Sequence, residues 1–118
     1  MFSEAVLDHF RNPRNAGELA GATVTGEASN PVCGDVLKLS ARIVDGHIVE
    51  VRFLCRGCTT AIACASSLTE QISGRTIAEA SGLTPESLSS CLGGLPPATF
   101  HGAQLAIDGL KALIGKQL

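Results

Sequence analysis

Between Leu37 and Phe53 the chain alternates. Leu37, Leu39, Ala41 and Ile43 are separated by Lys38, Ser40 and Arg42; after Asp45-Gly46, Val49, Val51 and Phe53 are separated by Glu50 and Arg52. A period of two with one apolar side predicts half-buried strands, and the Asp-Gly pair between them predicts a hairpin turn. A two-residue loop at Asp45-Gly46 would set Ala41 against Glu50 and Leu39 against Arg52, with charge on the apolar face. A three-residue loop, Val44-Asp45-Gly46 with Gly46 left-handed, sets Leu39 against Val51 and Leu37 against Phe53. A slip of one residue turns a strand over, so the second register is expected. Carried further, it places Asp35 opposite Cys55 and Cys33 opposite Gly57.

Before this hairpin, Ser3 is positioned to cap a helix through about Arg11, with Ala5, Val6, Leu7 and Phe10 on its apolar side and Pro13 beyond its end. "TVTGEA" reads as a short edge strand. From Thr59 the period changes to a helical one, Ala61, Ala65, Leu68 and Ile72 sharing a face that ends at Gly74. "TIAEASGL" predicts a helical turn or two, and Thr84-Pro85-Glu86 opens another short helix that stops at Gly93-Gly94. After "LPPAT", Thr99 is the expected cap of a last helix with Ala103, Ala106, Leu110 and Leu113 or Ile114 inward. Strands first and helices after, without βαβ alternation, predict an α+β fold: a small three-stranded antiparallel sheet, helices packed on one face, and an N-terminal helix.

Composition narrows the class. A length of 118 residues suits one domain, 1–118, with a single core, and 45% hydrophobic content is enough to build it. Nine basic and eleven acidic residues leave a net charge of −2, and Trp and Tyr are absent, so nucleic acid is not an expected partner. "MFSEAVLDHF" has neither a basic n-region nor a long apolar run, so no signal peptide and no membrane partner are expected. Five cysteines without an export signal predict a cytoplasmic chain with reduced thiols.

The hairpin brings "CGD" (33–35) and "CRGC" (55–58) to one end of the sheet. Cys58 falls at the start of a helix, where free backbone N–H groups favour negative charge on sulfur. His101 falls at the start of the last helix. Cys33, Asp35, Cys58 and His101 thus form a mixed S/O/N donor set suited to zinc or to iron in a cluster. Gly34 and Gly57 would let backbone approach a ligand closely. Plainer roles compete at each position. Cys33 and Cys58 could be small core residues, Asp35 a brace for the turn, and His101 a helix-start residue bonded to backbone. Cys55 is either a partner of Cys58 or a strand-end core residue. Cys64 suits core packing and Cys91 a structural place. His9 and His47 look ordinary, and Arg11, Arg14, Arg52 and Arg56 read as a solvated rim.

"DHFRNPRNAGEL", "NPVCGDVLKL", "RFLCRGCTTAIACASSLTE", "SGRTIAEA" and "LPP" leading to "FHGAQLA", in this order over nearly the whole chain, resemble the IscU/NifU N-terminal type of iron–sulfur cluster assembly scaffold. The resemblance implies that Cys33, Asp35 and Cys58 occupy cluster-site positions for iron or a 2Fe–2S cluster. It also implies that a cysteine desulfurase supplies sulfur, that apo iron–sulfur proteins are the acceptors, and that the chain is a carrier rather than an enzyme. Where the family has His-Cys, this chain has His101-Gly102, so a thiol that serves in several members as ligand and early sulfur acceptor is missing. Cys55, Cys64 and Cys91 are the thiols left to replace it. "LPPAT" stands for the family's "LPPVK", so recognition by a dedicated chaperone does not carry over. The alternative functions are a zinc-bound sulfurtransferase partner that activates a desulfurase, and a dithiol oxidoreductase using Cys55 and Cys58.

Overall fold

A computed structural model describes residues 2–31 and 34–115. The elements run α1 (Glu4–Arg11), β1 (Val24–Asn30), β2 (Asp35–Val44), β3 (His47–Arg56), α2 (Thr59–Ile72), α3 (Ile77–Ala80), α4 (Pro85–Cys91), a 3₁₀ turn (Pro97–Thr99) and α5 (His101–Gly115). The three strands form one antiparallel sheet in the order β1-β2-β3. The predicted α+β architecture is the observed one. Among the described residues no helix is long and apolar enough to cross a membrane.

The hairpin register differs from the expected one. Val44 pairs with His47, and Asp45 and Gly46 have φ of 51° and 76°, the paired left-handed residues of a two-residue type I′ turn. Ile43 then faces Ile48 and Arg42 faces Glu50, which leaves Val49 as an extra residue in a bulge. The bulge does what the three-residue loop was expected to do, returning the apolar side of β3 to the core. Beyond it Ala41 faces Val51, Leu39 faces Phe53 and Leu37 faces Cys55. From Val51 onward the predicted faces hold, whereas Val49, expected inward, is exposed and Ile48 is buried in its place, and the predicted partners are displaced by two residues. Continuing the pairing of Val36 with Arg56 carries Asp35 toward Gly57 rather than Cys55. Cys33, expected opposite Gly57, lies outside the described residues.

Leu37, Leu39, Ala41, Val51 and Phe53 form the buried face of the sheet. Helix α5 crosses β1 and β2, and α2 lies against β3 and α5. The approach of α5 is close because two glycines leave room for it. A methyl built on Gly26 would fall 2.5 Å from the Leu113 backbone nitrogen, and one on Gly109 would fall 2.9 Å from Leu37 Cδ2. Helix α2 buries the predicted Ala61, Ala65, Leu68 and Ile72. It also buries Thr60, Ser66, Ser67 and Thr69, because other helices cover its remaining sides. Thr84 caps α4 as expected, accepting from the Ser87 N–H. Thr99 does not cap α5: it belongs to the 3₁₀ turn, where its hydroxyl donates to the Pro96 carbonyl.

Ser3 caps α1, accepting from the Val6 N–H at 3.1 Å and donating to the Leu92 carbonyl at 2.6 Å. The buried face of α1 is narrower than predicted. Val6 and His9 are buried, while Phe10 is 40% exposed. His9 Nδ1 lies 2.8 Å from Ser66 Oγ, which also accepts from the Arg14 N–H at 2.8 Å. The next residues run along β3: Phe53 N–H donates to the Asn15 carbonyl, and Gly17 N–H donates to the Phe53 carbonyl, both at 2.9 Å. At Phe53 the outer edge of β3 is thus covered by chain rather than left open to another strand. Arg14, expected on a solvated rim, instead pairs with Asp8 at 2.6 Å and with Glu70 at 3.6 Å.

Burial, together with the Arg14 charge, holds the His9 imidazole below the usual histidine range, against the opposite pull of Glu70 and Asp8. A folded-state value below the unfolded one means that the unfolded chain takes up the proton first. Folded stability is therefore full above the unfolded pKa of about 6.5 and declines as pH falls through the interval beneath it. The denaturant midpoint is expected to drop between about pH 7 and pH 5. In His9→Gln, which keeps a side chain able to reach Ser66, that slope should shrink. An unchanged slope would remove His9 as its source.

Candidate functional site

Three segments meet at one end of the sheet. Asp35 opens β2, Cys58 is the N-cap of α2, and His101 opens α5. Cys58 Sγ lies 3.8 Å from Asp35 Oδ2 and 3.7 Å from His101 Nε2, and His101 Nε2 lies 3.7 Å from Asp35 Oδ2. The three atoms form a nearly equilateral triangle. Metal–ligand bonds of roughly 2.0–2.3 Å in a tetrahedral site put its ligand atoms about 3.5 Å apart, so the triangle has the dimensions of one face of such a site. Oxygen, sulfur and nitrogen together suit a divalent ion of borderline softness.

Each side chain is presented by local structure. Cys58 has extended backbone angles, and its carbonyl accepts from the Ile62 N–H. Its thiol makes no capping bond to the helix, and so it turns toward Asp35 and His101. Asp35 is only 5% exposed. A carboxylate so far removed from water needs positive charge or donors close to it, and a bound cation would meet that need. Gly57 makes the approach possible, because a methyl there would lie 2.9 Å from Asp35 Cγ and 3.2 Å from the Ala61 methyl. Gly34, with φ of 75°, takes the chain into β2 through a conformation that other residues resist.

Of the four predicted site residues, Asp35, Cys58 and His101 are brought together; Cys33 lies outside the described residues. The three remaining thiols do not join the group. Cys64 is wholly buried in α2, and burial pushes its thiol up to about 12. Cys91 is exposed at the end of α4. Cys55 is half-buried on β3, its thiol pushed up to about 11 by burial first, then by the charges of Asp35 and Cys58. Gly102, where another thiol was looked for, is occupied space. A methyl there would lie 3.1 Å from Thr60 Cγ2 and 3.2 Å from the Ala61 nitrogen, so glycine lets the starts of α5 and α2 close on one another. His9, set aside as ordinary, proved to be a buried structural group. Its signal was the polar stripe of Ser66 and Thr69 on an otherwise apolar helix.

A small α+β domain with carboxylate, thiol and imidazole converging at the end of its sheet is the class that this geometry defines. The NifU-like N-terminal domain family model matches residues 1–117, and the chain belongs to that family. It is 41% identical over 114 residues to the iron–sulfur cluster assembly scaffold protein IscU 1 of Archaeoglobus fulgidus, covering 97% of this chain and 74% of that protein. With the scaffold protein IscU of Haemophilus influenzae it shares 38% identity over 117 residues, covering 96% and 92%. The crystal structure of a protein described as an iron–sulfur cluster assembly scaffold of the SUF system, from Fervidobacterium islandicum AW-1, superposes with a TM-score of 0.82. That likeness covers 96% of each chain at 23% identity and concerns the fold.

Enlarging Gly57 is a direct test of how the carboxylate is held. Gly57→Ala should displace Asp35 and weaken binding of a probe ion such as cobalt(II) by roughly tenfold or more, as loss of a supporting contact commonly does. Titration followed by the ligand-field absorption of cobalt measures this. Unchanged affinity would mean that the close contact does not position Asp35.

Proposed function

We propose that this chain is an iron–sulfur cluster assembly scaffold. It holds iron and a transient 2Fe–2S cluster at Asp35, Cys58, His101 and Cys33, accepts sulfur from a cysteine desulfurase, and passes the cluster to apo iron–sulfur proteins. The observation that carries this reading is the triangle of oxygen, sulfur and nitrogen donors at 3.7–3.8 Å in a chain of this family. The printed function of the relatives supports the same role. The triangle would hold zinc equally well, and the relatives' printed function is what favours the scaffold over a zinc-holding activator of the desulfurase.

The parts have distinct tasks. Cys58 is exposed, so a persulfide carried by another protein can reach it. Its sulfur forms a new S–S bond to the sulfane sulfur as the donor's thiolate leaves. His101 Nε2, 3.7 Å away, is placed to take the thiol proton. Thiolates and imidazole hold the soft iron of the cargo, whereas the Asp35 oxygen is the harder and more exchangeable ligand. Release should therefore begin at Asp35. The scaffold binds and hands on; its own residues complete no turnover of substrate to product.

Anaerobic reconstitution with iron, cysteine and desulfurase, followed by absorption spectra and by analysis for iron and zinc, tests the assignment. Cys58→Ala and Cys33→Ala should lose most of the visible chromophore, while Cys64→Ala should keep it. A chromophore that survives in Cys58→Ala and vanishes in Cys64→Ala would refute the site, and zinc retained in place of iron would turn the reading toward the alternative.

A separate expectation concerns Asp35. The cluster in Asp35→Ala should decay more slowly in air than in the wild type, read from the fall of the same absorption. Equal or faster decay removes the labile-ligand role.

A further inference from the structure

Cys55 is a thiol that the proposed site does not use. It is the penultimate residue of β3 and faces Leu37 across the hairpin, so its side chain shares the apolar face of the sheet and packs against the core. Only Arg56 and Gly57 separate it from Cys58. The pair is therefore a Cys-x-x-Cys in which the second thiol stands at a helix N-cap and the first is sheltered behind it. A cleft of about 400 Å³, lined by Val36, Leu54, Cys55 and Arg56, opens beside the sheltered thiol. Cys64, within α2, is sealed in the core.

We infer that Cys55 is the resolving thiol for sulfur carried on Cys58, releasing it as sulfide and leaving a Cys55–Cys58 disulfide. The inference rests on the reading of Cys58 as a sulfur acceptor. In the step, Cys55 sulfur attacks Cys58 Sγ of the persulfide. The Sγ–Sγ bond forms, the Sγ–S bond breaks, and its electron pair leaves with the outer sulfur. The Cys55 proton departs with that sulfur, so that thiol plus persulfide gives disulfide plus hydrogen sulfide. The sulfane sulfur is reduced by two electrons, and the two cysteines together supply them. No further reductant enters until a dithiol of the medium reopens the disulfide. The pairing gives the half-buried cysteine a task that ligation does not: it turns delivered sulfur into the sulfide that a cluster contains.

The experiment is one round of sulfur transfer from a cysteine desulfurase and cysteine, without metal or added thiol, to wild type and to Cys55→Ser. Sulfide is assayed, and peptides are mapped by mass under non-reducing conditions. The wild type should release sulfide in step with a 55–58 linkage. Cys55→Ser should retain one extra sulfur on Cys58 and release roughly tenfold less sulfide. Sulfur that stays on Cys58 equally long in both proteins overturns the inference and leaves the scaffold reading intact. A 33–58 linkage in the wild type also overturns it, and needs no variant to be seen. If Cys55→Ser gains no sulfur on Cys58 and the wild type releases no sulfide, the acceptor reading itself is refuted, and the inference falls with it.

Discussion

The distance between α5 and the sheet governs the rest of this structure. Two missing side chains, at Gly26 and Gly109, let the helix backbone and Leu113 settle directly on β1 and on Leu37. Packing at such short range leaves little freedom to slide, because interiors are close-packed and a displaced methylene has nowhere to go. The first residue of α5 is therefore fixed relative to the first residue of β2. A third glycine, Gly102, draws the same helix against the start of α2. His101 meets Asp35 and Cys58 because three close contacts along one helix leave it in one place.

The sheet supplies the complementary constraint. Its register is decided far from the site, at Val49, where one extra residue reconciles a two-residue turn with the need to bury Val51 and Phe53. The bulge leaves Val49 itself at the surface and Ile48 buried. Eight residues beyond Val49, the same pairing determines that Gly57, and not Cys55, comes up beside the Asp35 carboxylate. The hydrophobic effect acting on a few apolar side chains thus selects which residue of "CRGC" touches the acid.

This also explains what the sequence made legible. Period-two alternation reports faces, and the faces of Leu37, Leu39, Ala41, Val51 and Phe53 were read correctly. It does not report absolute partners, since any even displacement preserves the faces; a bulge and a three-residue loop both satisfy it. Caps were readable at Ser3 and Thr84, where a hydroxyl is followed by a plain helical stretch. Thr99 failed because the two prolines before it start a 3₁₀ turn that consumes its hydroxyl. On α1 hydrophobicity misled: Phe10 had the apolar character and His9 had the partner, and the partner lay on α2, far along the chain. Three site residues were legible as chemical types beside predicted element ends. The exclusion of Cys64 was also legible, from its place on the apolar side of α2, whereas the half-burial of Cys55 depended on the register.

The three donors are far apart in sequence: Cys58 lies 23 residues from Asp35, and His101 a further 43 from Cys58. In a chain synthesised from its N-terminus, the oxygen and sulfur donors are complete once β3 and the start of α2 have emerged. Nitrogen comes last, after α3 and α4 have been made and α5 has closed over the sheet. The nascent hairpin presents oxygen and sulfur alone, while the triangle of all three atoms belongs to the finished domain. The order of the elements thus makes the full triangle a mark of completed folding: it closes only when the last helix has docked.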